Sequence, residues 1–366
     1  MKNSIGTSVI LTLSGESHGA MICAVLDGLA PGIPVSEEFI ASLLSLRRPS
    51  GRTDTARREK DAFRVVSGVF EGCTTGSPIC ILIPNEDTRS EDYVRNLNIP
   101  RPSHADFAAS VKYGGFEDWR GGGHFSGRIT AGIVAAGAIA IEALRRKGIT
   151  LGTHILSCAG VEDRPFEDVD DAVLRRQIGS IAEKDFPVIS DCREAMEKGI
   201  LEAKAAGDSV GGIIQTAVCS LPAGVGEPWF TSLEGAIANA VLSIGGIKGI
   251  EFGAGFALAS MRGSQANDPF CIRDGVVRTR TNRSGGVNGG ISNGMPVIFN
   301  SVVKPTPSIS LPQESVRLDS LESTELRISG RHDPAIVRRV CIVVTSLTAI
   351  VLCDMLSLRF GTDYLK

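Results

Sequence analysis

Three of the five histidines in this chain stand in settings that favour chemistry. His18 follows Ser17 in Gly15-Glu16-Ser17-His18-Gly19, where the flanking glycines permit a sharp backbone path that can present both side chains to a cleft. His104 lies in Arg101-Pro102-Ser103-His104-Ala105-Asp106, a loop leading into a helix, in which Ser103 or Asp106 could equally serve as helix cap. His124 belongs to Arg120-Gly121-Gly122-Gly123-His124-Phe125-Ser126-Gly127-Arg128, which runs into a long apolar segment. A glycine-rich loop entering a helix offers free amide N–H groups and a favourable dipole to a phosphate or another anion. It is not a P-loop, because no Gly-Lys-Ser/Thr follows, and its glycine spacing is not the Rossmann fingerprint.

Basic residues gather in Arg47-Arg48-Pro49-Ser50-Gly51-Arg52-Thr53 and continue at Arg57 and Arg58. Such a run is ordinarily a solvated face. On a Pro/Gly loop without a balancing run of acids it also suits phosphate recognition, where each charge-assisted hydrogen bond contributes about 1.5–3 kcal/mol. Lys304, Pro305, Thr306, Pro307 and Ser308 offer a cation and hydroxyls on a stiff extended segment after a strand. In Gly330-Arg331-His332-Asp333-Pro334, Asp as N-cap with Pro at the first helical position is ordinary helix initiation. These local readings amount to a phosphate-binding enzyme with histidines available for proton transfer. They do not select a reaction.

The elements that must position these groups are readable in part. Ser36 before Glu37 and Glu38, then Ile40, Leu43 and Leu44, then Arg47-Arg48-Pro49, predicts a capped helix that ends in two arginines beside a loop. Residues 127–147 are apolar nearly all round and predict a central buried helix. Residues 191–207 and 232–245 predict two more helices, the first a capped surface helix. Strand-like runs occupy 62–69, 79–83, 212–219 and 297–303, and residues 9–14 read as a first strand. Gly68-Val69, Gly72, Gly76 and Pro78 recur with the same spacing as Gly286-Val287, Gly290, Gly294 and Pro296, each set leading into a strand-like run. The echo favours a pseudo-symmetric single domain, and no segment resembles an interdomain linker, so one α+β domain over residues 1–366 is expected.

Composition narrows the class. Apolar residues make up 43% and charged residues 22%, with a net charge of −3, the proportions of a soluble globular protein rather than a dedicated nucleic-acid binder. Small molecules and further copies of the chain are the expected partners. The nine cysteines are scattered without the close pairs that clasp zinc, so they read as reduced core residues of a cytoplasmic protein with no metal site. No signal peptide is apparent at the N-terminus. The most apolar window, 341–353, is shorter than the roughly 18 residues that suggest a membrane span and reads as a buried helix.

Taken in order, the segments around Ser17 and His18, Arg47-Arg48-Pro49, residues 67–72, the loop of His104, Lys112-Tyr113-Gly114, Lys304-Pro305-Thr306 and Gly330-Arg331-His332-Asp333-Pro334 resemble the chorismate synthase family from the N-terminus to about residue 345. That resemblance implies a compact α+β sandwich of helices and antiparallel sheets with internal pseudo-symmetry, normally a homotetramer. It implies a 1,4-elimination of phosphate and a ring proton from 5-enolpyruvylshikimate 3-phosphate to give chorismate, requiring reduced FMN. It also implies roles: His18, with Ser17 beside it, as general acid near the leaving phosphate; His104 to protonate or balance the reduced flavin; Asp333 to assist proton removal through the flavin's N5. An imidazole suits the first task and a carboxylate the last. Arg47 and Arg52 match basic positions that contact phosphate or reduced nicotinamide. His124, Phe125, Ser126, Gly246, Gly289, Lys304, Pro305, Thr306, Pro307, Ser308 and Arg331 match positions that contact FMN.

The chain departs from the common family pattern after the glycines. His124-Phe125-Ser126-Gly127-Arg128-Ile129-Thr130 stands where many members read Arg-Ser-Ser-Ala-Arg-Glu-Thr, and Arg283-Ser284 stands where His-Ala is common. The loss of a cationic fork at position 124 bears on flavin-phosphate contacts more than on catalysis. With no Rossmann-type reductase domain apparent, an outside supply of reduced flavin is expected, NADPH being the candidate reductant. The competing readings are a phosphate-eliminating or phosphate-transferring enzyme that uses no flavin, and a flavin- or nucleotide-binding protein without catalysis.

Overall fold

Alternation of apolar residues along Met21–Asp27 and Ile79–Pro84 puts Ile22, Ala24, Leu26, Ile79, Ile81 and Ile83 on one face, each 1% exposed or less. That face needs a cover, and the apolar helix that follows the glycine loop supplies it. The computed structural model describes residues 2–54, 60–86, 98–328 and 332–366. In the first half, β1 (Ser4–Ile5), β2 (Ile10–Ser14), β3 (Met21–Asp27), β4 (Arg64–Ser67) and β7 (Ile79–Pro84) form an antiparallel sheet in the order β1-β2-β3-β7-β4, with β5 (Val69–Phe70) and β6 (Cys73–Thr74) as a small hairpin. The helices are α1 (Glu37–Arg47), α2 (Asp106–Tyr113) and α3 (Thr130–Arg146).

The second half repeats this plan. Strands β8 (Thr150–Cys158), β9 (Val161–Glu162), β10 (Gly212–Cys219), β11 (Ile247–Phe252) and β16 (Val297–Val303) pair antiparallel in the order β9-β8-β10-β16-β11. Hairpins are made by β12 (Phe270–Arg273) with β13 (Val276–Thr279), β14 (Val287–Asn288) with β15 (Ile291–Ser292), and β17 (Gln313–Arg317) with β18 (Glu322–Leu326). The helices are α4 (Asp171–Ile181), α5 (Arg193–Ala205), α6 (Leu233–Leu242), the short α7 (Gly263–Ala266) and α8 (Val337–Phe360).

The glycine echo is thus a structural repeat. Each copy runs from a small hairpin into a central strand: β5, β6 and β7 in one, β14, β15 and β16 in the other. Gly68, Gly72 and Gly76 have φ between 73° and 87°, and Gly286, Gly290 and Gly294 between 81° and 88°, a region only glycine enters freely. The side-chain fastenings repeat too. Thr74 Oγ1 accepts from Ile33 N and donates to Ala30 O, and Ser292 Oγ accepts from Val225 N and donates to Pro222 O.

Helices fill the space between the sheets. α3 packs on β3 and β7 on one side and on α8 on the other, and α8 packs on β8 and β10. A Cβ at Gly132 would meet Leu13, Ala24 and Ile22 at 3.0–3.4 Å, and one at Gly137 would come within 2.3 Å of Ser346 Cβ, so these glycines let the sheet and the helix approach. α4 packs on the second sheet through Leu174, Ile178 and Ile181, with Phe166 from the preceding loop beside them.

Most expected elements are present, with four differences. The surface helix predicted over 191–207 begins at Arg193, and its N-cap, Cys192, makes no side-chain cap bond. The apolar window 341–353 is part of a 24-residue helix that runs through Asp354, because that carboxylate accepts from the backbone N–H groups of Thr7, Ser8 and Val9 at 2.6–3.1 Å. α8 is long and apolar enough to cross a bilayer, and 94% of its most apolar window is buried inside the protein. Asp333 does not cap this helix, whose first residue is Val337. All nine cysteines are free thiols, but only Cys158, Cys219, Cys341 and Cys353 are buried; the other five are half-buried.

Candidate active site

The β2–β3 connection, residues 15–20, carries Ser17 and His18. Gly15 has φ 110°, and a Cβ there would lie 2.5 Å from Met21 O, so the turn requires glycine. Three contacts hold the loop. Ser17 N donates to Gly123 O (3.0 Å), His124 Nδ1 bonds Gly15 O (2.8 Å), and Asn85 Nδ2 donates to both Glu16 O and Gly19 O (2.9 Å each). A carbonyl only accepts, so the His124 ring carries its proton on Nδ1.

The three glycines after Arg120 have φ 59°, 84° and 53°. They thread between the two other histidines. A Cβ built on Gly121 would lie 2.4 Å from His18 Cε1 and 3.0 Å from Ser17 Oγ; one on Gly122 would lie 3.5 Å from His104 Cε1 and 3.6 Å from its Nε2. The loop enters α3 through a short 3-10 turn over Gly127–Ile129, capped by Ser126.

His104 is held from behind. Its Nδ1 lies 2.6 Å from Asp106 Oδ1, and because a carboxylate only accepts, Nδ1 is the donor. Arg101 grips the same carboxylate through Nε and Nη2, both at 2.7 Å. Burial pushes the Asp106 carboxyl up, but the bonds from Arg101 and His104 outweigh it and hold the group far below the usual carboxylate range. Asp106 therefore opens α2 without capping it; the N-cap, Ala105, makes no side-chain bond.

The segment after β16 closes on this loop. Lys304 Nζ donates to Ser103 O (2.6 Å), and Lys304 N donates to Gly246 O (2.9 Å). Burial lowers the Lys304 pKa, and the charge of Lys248 lowers it further. Arg101 Nη1 reaches Ser308 Oγ at 3.5 Å, and Gln313 reaches Pro307 O at the same distance. Thr306 O accepts from Ser209 Oγ, and the adjoining Val210 N donates to Pro334 O, which brings Asp333 alongside. Pro305 packs beside Gly211. Asp333 is ion-paired with Arg339 in the first turn of α8. Phe125 meets Tyr113 edge to face with ring centroids 6.2 Å apart, and its carbonyl lies beside Gly245.

The arginines correct the expectation of an unbalanced basic loop. Arg47 is 5% exposed and bonds Asp61 Oδ2 at 2.7 Å; the other carboxylate oxygen takes Arg128. Burial pulls the Arg47 pKa down against the pull of Asp61, with the charges of Arg128 and Arg339 acting in the same direction as burial. Asp54 similarly takes Arg338 at 2.6 Å. Arg52 lines a cavity of about 210 Å³ with Thr53, Asp185, Arg193, Glu197 and Arg338, and no histidine stands on it. Gly289 and Gly290 turn the β14–β15 hairpin, Gly290 lying beside Ser232 at the start of α6, and Gly246 follows the end of that helix. Arg331, like Arg57 and Arg58, lies outside the described residues.

Sequence reasoning missed Asp61, Asn85 and Arg339, quoted Arg128 without a role, and read Asp106 only as a possible start of α2 rather than as the partner of Arg101 and His104. Asp61 and Asn85 carry no local signal, since each acts on partners set by the fold.

Comparison with known proteins decides among the readings. The profile of the chorismate synthase family matches residues 9–357. The chain belongs to the chorismate synthase family. Chorismate synthase of Methanocella arvoryzae is 42% identical over 357 residues, 97% of this chain and 94% of its own length. Those of Thermococcus kodakarensis and Dehalococcoides mccartyi are each 43% identical, over 354 and 362 residues, covering 97% and 99% of this chain and 97% and 98% of theirs. A crystal structure of a chorismate synthase superposes with a TM-score of 0.76 at 28% identity, over 97% of this chain and 94% of that one. The α+β sandwich expected for chorismate synthase is the fold observed. The chain is accordingly a lyase that eliminates phosphate from 5-enolpyruvylshikimate 3-phosphate to give chorismate, in aromatic biosynthesis.

Proposed function

We propose that His18 and His104 divide the proton handling of this elimination, one on each side of the triple-glycine loop, with reduced FMN lying against residues 304–308. The observation that carries this reading is the close approach of Gly121 to His18 and of Gly122 to His104, which leaves both imidazoles facing one loop. His18, with Ser17 beside it, protonates the departing phosphate; neutral-range imidazole is suited to that. His104, fixed by Asp106, keeps its Nε2 toward the glycines and balances negative charge on the flavin side. The Asp333 carboxylate, aimed by Arg339, accepts the ring proton. Reduced FMN held there would supply transient electron density to the substrate with no net redox change.

The donor set fits such a cofactor. Among the described residues, Thr306 Oγ1 and Ser17 Oγ are buried side-chain atoms without a hydrogen-bond partner. Burial and the charge of Lys248 weaken the hold of Lys304 on its proton, which a bound anion would reverse. Lys304, Pro305, Thr306, Pro307 and Ser308, with Gly246 bonded to Lys304, would hold the flavin from one side and His124, Phe125 and Ser126 from the other. Buried Arg47 and Arg128 and half-buried Arg339 supply positive potential for the substrate's phosphate and carboxylates. Arg52, on its separate cavity, is the candidate contact for NADPH as reductant.

Support for a homotetramer comes from apolar side chains left in solvent: Phe230 is 99% exposed, Phe256 84% and Phe270 73%. Nine unpaired thiols suit a reducing cytoplasm. The test is an anaerobic incubation of protein, 5-enolpyruvylshikimate 3-phosphate and FMN with and without dithionite. Chorismate forming only with reductant supports the flavin reading; equal formation without it removes flavin from the reaction.

A further inference from the structure

Asn85 follows directly on β7 and belongs to none of the segments assigned to substrate or flavin. Its side-chain amide makes three bonds at once. Nδ2 donates to Glu16 O and to Gly19 O, 2.9 Å each, and Oδ1 accepts from Arg128 Nε at 2.9 Å. Arginine only donates and carbonyls only accept, so the amide has one possible orientation. Two donors on one side and an acceptor on the other is a set that Asp, Ser or Thr cannot supply.

The two carbonyls bracket the turn that carries Ser17 and His18, and Gly19 N closes that turn on Glu16 O at 3.1 Å. Behind Asn85, Arg128 also donates to Pro84 O (3.0 Å) and ion-pairs with Asp61, whose side chain is fully buried. Asp61 has φ 51°, left-handed for a non-glycine residue, so the backbone is held in a costly conformation to place that carboxylate. A rigid buried ion pair thus ends in an amide clamp on the His18 turn.

We propose that Asn85 is a positioning residue for the elimination, fixing the His18 turn on the buried Arg128–Asp61 pair so that the imidazole meets the leaving phosphate. This rests on the reading of His18 as the general acid. Displacing a reacting group by about 1 Å costs about 10²-fold in rate. Asn85→Ala therefore lowers kcat about 10²-fold, while FMN affinity, set on the side of Lys304, stays at the wild-type value.

The experiment is a double-mutant cycle with Asn85→Ala, His18→Gln and the double variant, assayed anaerobically with reduced FMN and saturating substrate. The expected result is that Asn85→Ala costs little further once His18 is gone. An equal loss in both backgrounds overturns the proposal and makes Asn85 a general scaffold residue. If His18→Gln alone leaves kcat unchanged, the reading of His18 falls and the proposal with it. Should Asn85→Ala not fold, Asn85→Asp enters the same cycle, since it keeps the acceptor for Arg128 and removes both donors. A second readout needs no cofactor: the His18 ring resonances of the flavin-free protein shift in the Asn85 variant while those of His154, buried against Asp163 and Gln215, do not. Movement of both, or of neither, also overturns the proposal.

Discussion

Adding one methyl group at Gly121 tests the geometry of the histidines most directly. The new Cβ would stand 2.4 Å from His18 Cε1 and 2.6 Å from Nδ1, whereas carbon atoms rest about 3.5 Å apart. Hydrogen bonds from Gly122 N to Trp119 O and from Ser17 N to Gly123 O hold the loop, so the imidazole must retreat by about 1 Å. A displacement of that size costs about 10²-fold in turnover. The backbone itself loses about 1–2 kcal/mol from forcing alanine into the left-handed region. Gly122→Ala is the matched control. Its φ of 84° brings a similar backbone cost, but the added Cβ would meet His104 at 3.5 Å, an ordinary contact. The two variants should therefore melt at similar temperatures and differ by about two orders of magnitude in anaerobic kcat. Equal turnover in the two, or wild-type turnover in Gly121→Ala, would refute the placement of His18 against this loop as the source of its catalytic position.

Three further outcomes follow from the same structure. Asp61→Asn leaves Arg47 and Arg128 buried without a counter-charge, a loss of about 3–5 kcal/mol; with an unfolding entropy of about 0.8 kcal/mol/K for a chain of this length, Tm falls by about 4–6 °C in calorimetry. Asp106, held below its unfolded pKa, stabilises the fold fully above about pH 4 and loses that contribution as pH falls through the folded value. The urea midpoints of wild type and Asp106→Asn should accordingly stay apart from neutral pH down to about pH 4 and converge below it; a constant gap would mean that the carboxylate charge is not what matters. Asp333→Asn should bind ligands yet turn over slowly, with a larger isotope effect when the departing ring hydrogen is deuterium; normal turnover with a lowered Tm would reduce Asp333 to a partner for Arg339.

How far the sequence speaks depends on whether a residue's partner is near it in the chain. Ser36, Glu37 and Glu38 predict the start of α1 because a cap acts within its own turn, and Ser36 Oγ does accept from Phe39 N. The paired glycine sets announced the repeat because each meets a local backbone requirement. Asp333-Pro334 misled for the opposite reason: the local rule makes Asp a cap, but Arg339 offers it an ion pair and the helix starts later. Asp354 reads as the end of an apolar segment until its partners at residues 7–9 are known. The acid that balances Arg47 was invisible, because Asp61 is a single residue across a loop rather than a run of charge. His18 was legible through the glycines that flank it, whereas Asn85, which holds its turn from 66 or more residues away, was not.

The carboxylate of Asp354 also bears on how the chain matures in the cell. Ribosomes release the N-terminus first, and domains begin to fold while synthesis continues. The amides of Thr7, Ser8 and Val9 must wait for a residue some 345 positions later before they are satisfied. The inner surface of α3 waits equally long for α8. A nascent chain that has finished its first half thus carries an open apolar helix and an unfilled anion-binding hollow at its leading end. Completion is necessarily a late event, after release of the C-terminus, and truncated products lacking α8 become natural clients for chaperones and proteases rather than half-active enzymes.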